Sequence, residues 1–272
     1  MSRYPDAELL ELAVQAAHRA GSLIIERTAQ RITDKGDRDL SSDVDLAAEH
    51  VIREFLAAET PEIPVLGEEG DGPSPMSERL WVVDPIDGTI NYLHQIPLYA
   101  VSISLIEHGR TRLAATYVPQ LQTTYSAAAG GGAQANNERI QASHVTSLRE
   151  AVIAIDQLTF TGDTPTQANA LRLALIQGLA PAVQRIRVHG SSTIDLAWTA
   201  QGRLDACVIL ANHPWDTSAG ALLAREAGAH VVDLEGRPHV LTSQTTLAVA
   251  PGIADELHSV INTLTSRAGS NP

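Results

Sequence analysis

The sequence predicts a mixed α+β and α/β fold, with an antiparallel sheet in the N-terminal half and alternating strands and helices in the C-terminal half. Apolar residues recur at helical spacing from residue 6 to about residue 30. Successive strand signals follow between residues 80 and 128. Beyond residue 148 strands and helices alternate, which is typical of βαβ units. We therefore expect two domains, residues 1–148 and 149–272, that share a tight interface.

The first half is expected to begin with two helices. The first covers residues 6 to about 30, and the polar segment 31–42 interrupts the helical pattern. The second helix has Ser42 or Asp43 as its N-cap, and Pro61 and Pro64 end it. The strands predicted after these helices are Leu80–Val83, Ala100–Ile106, Arg112–Val118 and Thr123–Ala128. The last three form a meander, and turns follow at Gly130–Gly132 and Asn136-Asn137.

The second half is expected to alternate between the two element types. The predicted elements are strand Ala151–Ile155, helix Gln167–Gly178, strand Gln184–Val188, helix Ser192–Gln201, strand Leu204–Leu210, helix Asp216–Ala227 and strand His230–Val232.

Composition and charge exclude several classes of protein. With 44% hydrophobic and 19% charged residues, the chain has the composition of a globular protein. A formal charge of −13, with only 19 Lys and Arg, argues against a nucleic-acid surface. No apolar stretch is long enough to span a membrane, and the acidic start lacks the features of a signal peptide. Cys207 is the single cysteine, so we expect a reducing cytoplasm and no intramolecular disulfide or cysteine-based zinc cluster.

The most informative run is an apolar strand that stops at Asp84 and continues as Asp84-Pro85-Ile86-Asp87-Gly88-Thr89. If a helix begins just past this turn, two carboxylates lie beside free backbone N–H groups. That arrangement suits a cation and a phosphate group. A surface turn has the same residue types. The spacing also excludes two other sites: an Asp-x-Asp nucleophile motif needs one intervening residue, and a calcium loop needs oxygen ligands where Ile86 and Gly88 stand.

Further carboxylates lie upstream and downstream of this run. Gly67-Glu68-Glu69-Gly70 follows a short apolar run, and Trp215-Asp216 opens an Ala- and Leu-rich helix. Taken separately, a solvated acidic loop and a simple N-cap explain them.

Together, in this order and at these separations, the motifs resemble those of the inositol monophosphatase family of metal-dependent phosphatases. The resemblance extends along nearly the whole chain. It includes Lys35, Asp39-Leu40 and Asp45 before the first motif and Gly190-Ser191-Ser192 before the last. The family implies a layered αβαβα sugar-phosphatase architecture.

The resemblance also implies the metal ligands. Glu68 and Asp84, joined by the backbone carbonyl of Ile86, would bind a first Mg²⁺. Asp84, Asp87 and Asp216 would bind a second, with Asp84 bridging, and a third, loosely held ion would lie near Glu68 and Lys35. Hard cations of this kind take oxygen ligands.

The same resemblance assigns the remaining roles. Asp45 and Thr89 would orient and deprotonate a metal-activated water that attacks phosphorus directly. Gly88 and Thr89 would bind the phosphate group through their backbone N–H groups. Lithium sensitivity and a homodimer are implied as well. The predicted substrate-binding residues are His189, Gly190, Ser191, Ser192 and His213.

One position departs from the family pattern. An acidic residue that contacts a substrate hydroxyl is usual seven positions before Asp216, where this chain has Ile209. We therefore expect an intact catalytic centre with an altered pocket for the leaving group. Inositol phosphate, another sugar or polyol phosphate, histidinol phosphate, a nucleotide 2′- or 3′-phosphate and a specialised intermediate all stay open as substrates. A non-catalytic relative that binds a metal or an anion is the alternative of another class.

Overall fold

The N-terminal layer consists of two amphipathic helices. In the computed structural model, which describes residues 4–36, 39–70, 72–74, 77–161, 164–165, 167–210 and 212–268, helix α1 spans Asp6–Glu26 and helix α2 spans Asp43–Glu59. Ser42 is the N-cap of α2 and forms a capping box with Asp45, which confirms the predicted start. Helix α1 ends at Glu26, earlier than predicted.

A short hairpin precedes α2 where the sequence pattern showed only an interruption. Strand β1 (Ile32–Gly36) pairs with β2 (Asp39–Ser42) in antiparallel register. Every residue of β1 is exposed, so no alternation of apolar and polar residues marks this strand. The hairpin carries Lys35.

The first large sheet has seven strands in the described part of the chain. Its strands are β3 (Val65–Gly67), β4 (Arg79–Asp87), β5 (Ala100–Glu107), β6 (Arg110–Val118), β7 (Thr123–Ala128), β8 (Gly132–Ala135) and β9 (Glu138–Arg139). They lie in sequence order, and only β3 and β4 are parallel. The predicted meander is confirmed, and Asn136 and Asn137 both have positive φ in the turn after β8. Strands β8 and β9 were not predicted.

The second sheet has five strands among the described residues, in the order β13-β10-β14-β16-β15. The C-terminal elements are β10 (Val152–Ile155), β11 (Phe160–Thr161), β12 (Thr164–Pro165), α4 (Gln167–Leu179), β13 (Arg185–Arg187), α5 (Ser192–Ala200), β14 (Ala206–Leu210), α6 (Pro214–Glu226), β15 (His230–Val232), β16 (Thr245–Val249) and α7 (Ala254–Ala268). The parallel pairs β10–β13 and β10–β14 confirm the alternating half, whereas β16 is antiparallel to both neighbours.

Helices α5 and α6 lie between the two sheets and share one apolar core with both of them. Helices α1 and α2 cover the outer face of the first sheet, and α4 and α7 cover the outer face of the second. The predicted five-layer αβαβα arrangement is therefore confirmed. Because α6 contacts both sheets, the domain boundary at residue 148 stays a prediction. No helix among the described residues is both long and apolar enough to cross a membrane.

Candidate active site

The segment from Asp84 to Thr89 joins β4 to the short helix α3, which spans Thr89–Leu93. Strand β4 continues through Asp87 with an irregular register after Asp84, where the sequence predicted that the strand ends. Asp84 is 1% exposed, and its Oδ1 accepts a hydrogen bond from the N–H of Ile86 at 3.0 Å. Gly88 has φ of +96°, and a Cβ there would lie 3.0 Å from the carbonyl oxygen of Leu98. The turn therefore requires glycine.

Asp87 is held by the segment that begins α5. Its Oδ2 accepts hydrogen bonds from Ser191 Oγ at 2.5 Å and from the N–H of Thr193 at 2.7 Å. Burial raises the pKa of Asp87, and the hydrogen bonds from this segment oppose that rise. The sequence predicts that Ser191 binds substrate, and in the structure its hydroxyl donates to Asp87. A contact of Ser191 with substrate stays a prediction. Thr193 was missed because it carries no sequence signal beyond its place in the first turn of a helix.

Asp45 and Thr89 are brought together across two elements. Thr89 Oγ1 donates toward Asp45 Oδ1 at 2.9 Å and toward the carbonyl oxygen of Ile86 at 3.1 Å. Asp45 Oδ2 accepts from the N–H and the hydroxyl of Ser42 at 2.9 and 2.5 Å. Burial raises the pKa of Asp45, although its hydrogen bonds oppose the rise. Asp45 is consequently a fixed acceptor for the Thr89 hydroxyl, with a proton affinity above that of an ordinary aspartate.

Glu68 follows β3 and meets the β1–β2 hairpin through Lys35. The Lys35 ammonium lies 2.9 Å from Glu68 Oε1 and 2.7 Å from Glu69 Oε1. Glu69 Oε2 also accepts from Ser41 Oγ at 2.8 Å. Although burial lowers the pKa of Lys35, the two carboxylates outweigh burial and raise it above its ordinary value. Lys35 is therefore a permanent cation beside Glu68.

A buried carboxylate that the sequence analysis missed supports the Glu68 loop. Glu49 is 3% exposed, and its Oε2 accepts from the N–H of Glu69 at 2.8 Å. Its Oε1 accepts from Arg53 Nε at 2.7 Å. A Cβ on Gly67 would lie 2.3 Å from this carboxylate. The one available signal was the position of Glu49 four residues after Asp45, on the same face of α2.

Asp216 lies in the first turn of α6, two residues after Pro214. Its Oδ2 accepts from the N–H of His213 at 3.2 Å. Two residues further along the helix, Ser218 Oγ lies 2.7 Å from Ser104 Oγ on β5, and both residues are buried. This polar contact between α6 and the first sheet fixes the helix that carries Asp216.

The electrostatics of these groups favour a divalent cation. Burial raises the pKa of Asp84 well above its ordinary range, and the negative charges of Glu68, Asp87, Asp216 and Asp45 raise it further. A doubly charged ion among these oxygen donors would turn the repulsion into attraction. Carboxylates with a backbone carbonyl form the donor set that Mg²⁺ prefers. The residues present therefore fit the implied metal.

The ligand set is incompletely assembled in this conformation. Within the described ranges, no three His, Cys, Asp or Glu side chains already meet at metal-ligand spacing. Glu68 is engaged by Lys35, and Asp87 by Ser191 and Thr193.

The predicted substrate-binding residues differ in their surroundings. His189 Nδ1 lies 2.6 Å from Asp195 Oδ1, so one ring nitrogen is used within the protein. Gly190 has positive φ, and Ser192 is half-buried at the start of α5. His213 is exposed and stacks on Trp215, with ring centroids 5.0 Å apart. Substrate contacts by these residues stay predictions.

Ile209 lies in the apolar core between the sheets. Its side chain is 2% exposed and packs among residues of α5, α6 and β14. The sequence interpretation placed this position at the leaving-group pocket, whereas the structure gives it an interior environment. The apolar side chain at this position is thus accommodated by packing.

Comparisons with known proteins agree with this arrangement. The model of the inositol monophosphatase family matches residues 6–268. A probable inositol 1-monophosphatase ImpA of Mycobacterium tuberculosis is 34% identical to this chain over 253 residues, which cover 93% of this chain and 92% of the relative. The Nus factor SuhB of Vibrio cholerae is 34% identical and covers 89% of this chain and 91% of that protein.

The solved structures include an IMPase of Thermotoga maritima with a TM-score of 0.88 and 28% identity. The similarity covers 96% of this chain and 99% of the Thermotoga chain. Because the family match spans the site residues as well as all five layers, the chain belongs to the inositol monophosphatase family.

Proposed function

We propose that the chain is a Mg²⁺-dependent phosphatase that hydrolyses a small phosphate monoester. The observation that carries the proposal is the group of carboxylates around Asp84, whose pKa is raised by burial and raised further by these negative charges. The Asp45–Thr89 pair lies close to this group through Ile86. Membership of a phosphatase family supports the same chemistry.

The proposed ligands fall into two overlapping sets. Glu68, Asp84 and the carbonyl oxygen of Ile86 would hold one Mg²⁺, and Asp84, Asp87 and Asp216 would hold another. A third, weakly held ion near Glu68 and Lys35 would account for the expected inhibition by Li⁺. When bound, the ions stabilise negative charge on the phosphoryl and leaving-group oxygens.

The chain's own residues perform the proton transfer. Thr89 orients the attacking water, and a proton of that water passes through the Thr89 hydroxyl to Asp45 Oδ1. The water oxygen forms a bond to phosphorus while the ester P–O bond breaks. The departing alkoxide takes a proton from solvent, which gives an alcohol and inorganic phosphate. The N–H groups of Gly88 and Thr89 would bind phosphate oxygens.

Lys35 has a further role in this proposal, because its ammonium neutralises the charge of Glu68. Its ammonium is shared between Glu68 and Glu69. Glu69 would keep its hydrogen bonds from Lys35 and Ser41 if Glu68 were exchanged from Lys35 to a metal ion. The exchange therefore leaves no carboxylate without a partner.

The leaving group is proposed to be a polyol or sugar. The name of the mycobacterial relative includes inositol 1-monophosphatase, and that relative spans nearly this whole chain. Histidinol phosphate, nucleotide 2′- or 3′-phosphates and specialised intermediates are the alternatives with the same chemistry. A cytoplasmic homodimer is the state that we propose for the enzyme, and a single 29.0 kDa species in light scattering would contradict the dimer.

A non-catalytic role is the alternative function, since one relative is named a Nus factor. A binding protein has no need for a water-activating pair, yet Asp45 and Thr89 are both present and hydrogen-bonded. The net charge of −13 also disfavours direct contact with nucleic acid. These observations favour catalysis.

Phosphate release from a panel of monoesters, measured with and without Mg²⁺, tests the proposal. Thr89→Ala should lower kcat by about 100-fold or more, whereas Thr89→Ser keeps the hydroxyl and should retain most activity. Ca²⁺ should not replace Mg²⁺, because it relaxes the octahedral geometry. Full activity in excess chelator, or an active Thr89→Ala enzyme, would contradict the mechanism.

A further inference from the structure

Two backbone segments meet closely beside Asp87, at Gly88 and Gly190. A Cβ on Gly88 would lie 3.2 Å from the carbonyl oxygen of Gly190. Asn91, on α3, donates from Nδ2 to the carbonyl oxygens of Leu98 and His189, each at 2.7 Å. The chain between residues 189 and 191 is therefore attached to the turn that carries Asp87.

The His189 side chain supplies a separate attachment. Its Nδ1 lies 2.6 Å from Oδ1 of Asp195, a residue that is 1% exposed. The His189 and Trp198 rings form a T-shaped contact, with centroids 5.1 Å apart and planes at 80°. An ionised carboxylate only accepts hydrogen bonds, so Nδ1 carries the proton. The His189 ring consequently joins the segment before α5 to Asp195 and Trp198, which lie further along that helix.

Gly190 is the flexible residue in this segment, so its backbone conformation depends on contacts made by its neighbours. It has φ of +78° and no side chain, and it stands between His189 and Ser191. A glycine without neighbouring restraints samples many backbone conformations. Ser191 is the N-cap of α5 and its Oγ accepts from the N–H of Ile194 at 3.3 Å, so the conformation of Gly190 sets how the chain from His189 enters this cap. The restraints on the His189 side are the ring contact with Asp195 and the carbonyl contact with Asn91.

We propose that His189 is a positioning residue for Asp87, acting through Gly190 and Ser191. The inference rests on the proposed function, in which Asp87 binds Mg²⁺. His189 touches neither the ion nor the phosphate in this role. It holds the loop that orients the Asp87 carboxylate, in the way that outer-shell partners orient metal ligands.

The test uses isothermal titration calorimetry to measure the affinity of each variant for Mg²⁺ in the absence of substrate. His189→Asn keeps an N–H near the position of Nδ1, whereas His189→Gln moves its amide further along the side chain. We expect His189→Gln to weaken Mg²⁺ binding by about 10-fold or more, as is typical of lost outer-shell contacts. His189→Asn should stay within about 3-fold of wild type. His50→Gln is the matched control, because His50 pairs with Glu54 on an exposed helix face.

The double variant decides whether the effect passes through Ser191. Ser191→Ala alone should weaken Mg²⁺ binding, and adding His189→Gln should then change little. Additive losses, or a His189→Gln protein that binds like wild type, would overturn the inference while leaving the proposed function intact. Absence of Mg²⁺ binding in wild type would overturn both. Circular dichroism and metal-free melting temperatures identify variants that have lost their fold.

Discussion

An Ile209→Glu substitution would place a carboxyl group in the core between the two sheets. Ile209 is 2% exposed and packs against α5 and α6. Keeping the introduced acid neutral at about pH 7.5 costs about 4 kcal/mol, given an ordinary glutamate pKa of about 4.3. Lost apolar packing adds about 1 to 3 kcal/mol. The sum is a large share of the about 5 to 15 kcal/mol that stabilises a typical domain.

Urea unfolding followed by circular dichroism measures this loss, and Ile25→Glu is the matched control. Ile25 is 50% exposed on α1, so its substitution should cost less than about 1 kcal/mol. Ile209→Glu should lower activity on inositol 1-phosphate and on a plain phosphate ester alike. A stable Ile209→Glu protein with a selective gain on inositol 1-phosphate would refute the assignment of this side chain to the core.

Three further predictions concern the site and its surroundings. Gly67→Ala should cost about 2 kcal/mol in calorimetry and weaken Mg²⁺ binding, because its Cβ collides with the Glu49 carboxylate; φ at Gly67 is not positive, so backbone strain does not contribute. Burial and the charge of Arg225 lower the pKa of His239 to about 4. Below about pH 6.5 the unfolded chain binds a proton on His239 that the folded chain does not bind, so acid favours unfolding. The free energy of unfolding of the wild type should therefore fall by about 2 kcal/mol between about pH 8 and pH 5 because of this group. Urea titrations of His239→Gln should lack that fall. Finally, Mg²⁺ should raise the melting temperature and excess chelator should reverse the rise; no shift would contradict metal binding by the folded chain.

The layers and the main strands were predictable because each helix and each strand shows the residue pattern that is typical of its own type. The helix that begins after Ser42 shows apolar residues on one face, and the meander from Ala100 to Ala128 shows strand-forming runs separated by turn residues; both are confirmed. Motif spacing also identified carboxylates that are far apart in sequence and influence one another in the structure, as the effect of Asp216 on Asp84 illustrates.

The missed features depend on tertiary contacts. Every residue of β1, the strand that carries Lys35, is exposed, so no pattern of apolar residues predicts this strand. Glu49 resembles any polar residue of a surface helix until the fold places the Glu69 N–H against it. Ile209 was interpreted from its sequence distance to Asp216, whereas the alternation along β14 directs its side chain to the buried face that packs on α5 and α6.

The position of α6 between the sheets affects how the protein is made on the ribosome. Domains fold from the N-terminus as the chain emerges, and the first sheet is complete in sequence long before α6 appears. Until then, the face of β4, β5 and β6 that α6 covers has no partner. Asp84 and Asp216 also cannot meet before that moment. A translation product that stops short of α6 would expose an apolar sheet face and lack a proposed ligand, so it would be a substrate for chaperones and proteases instead of a partly active enzyme.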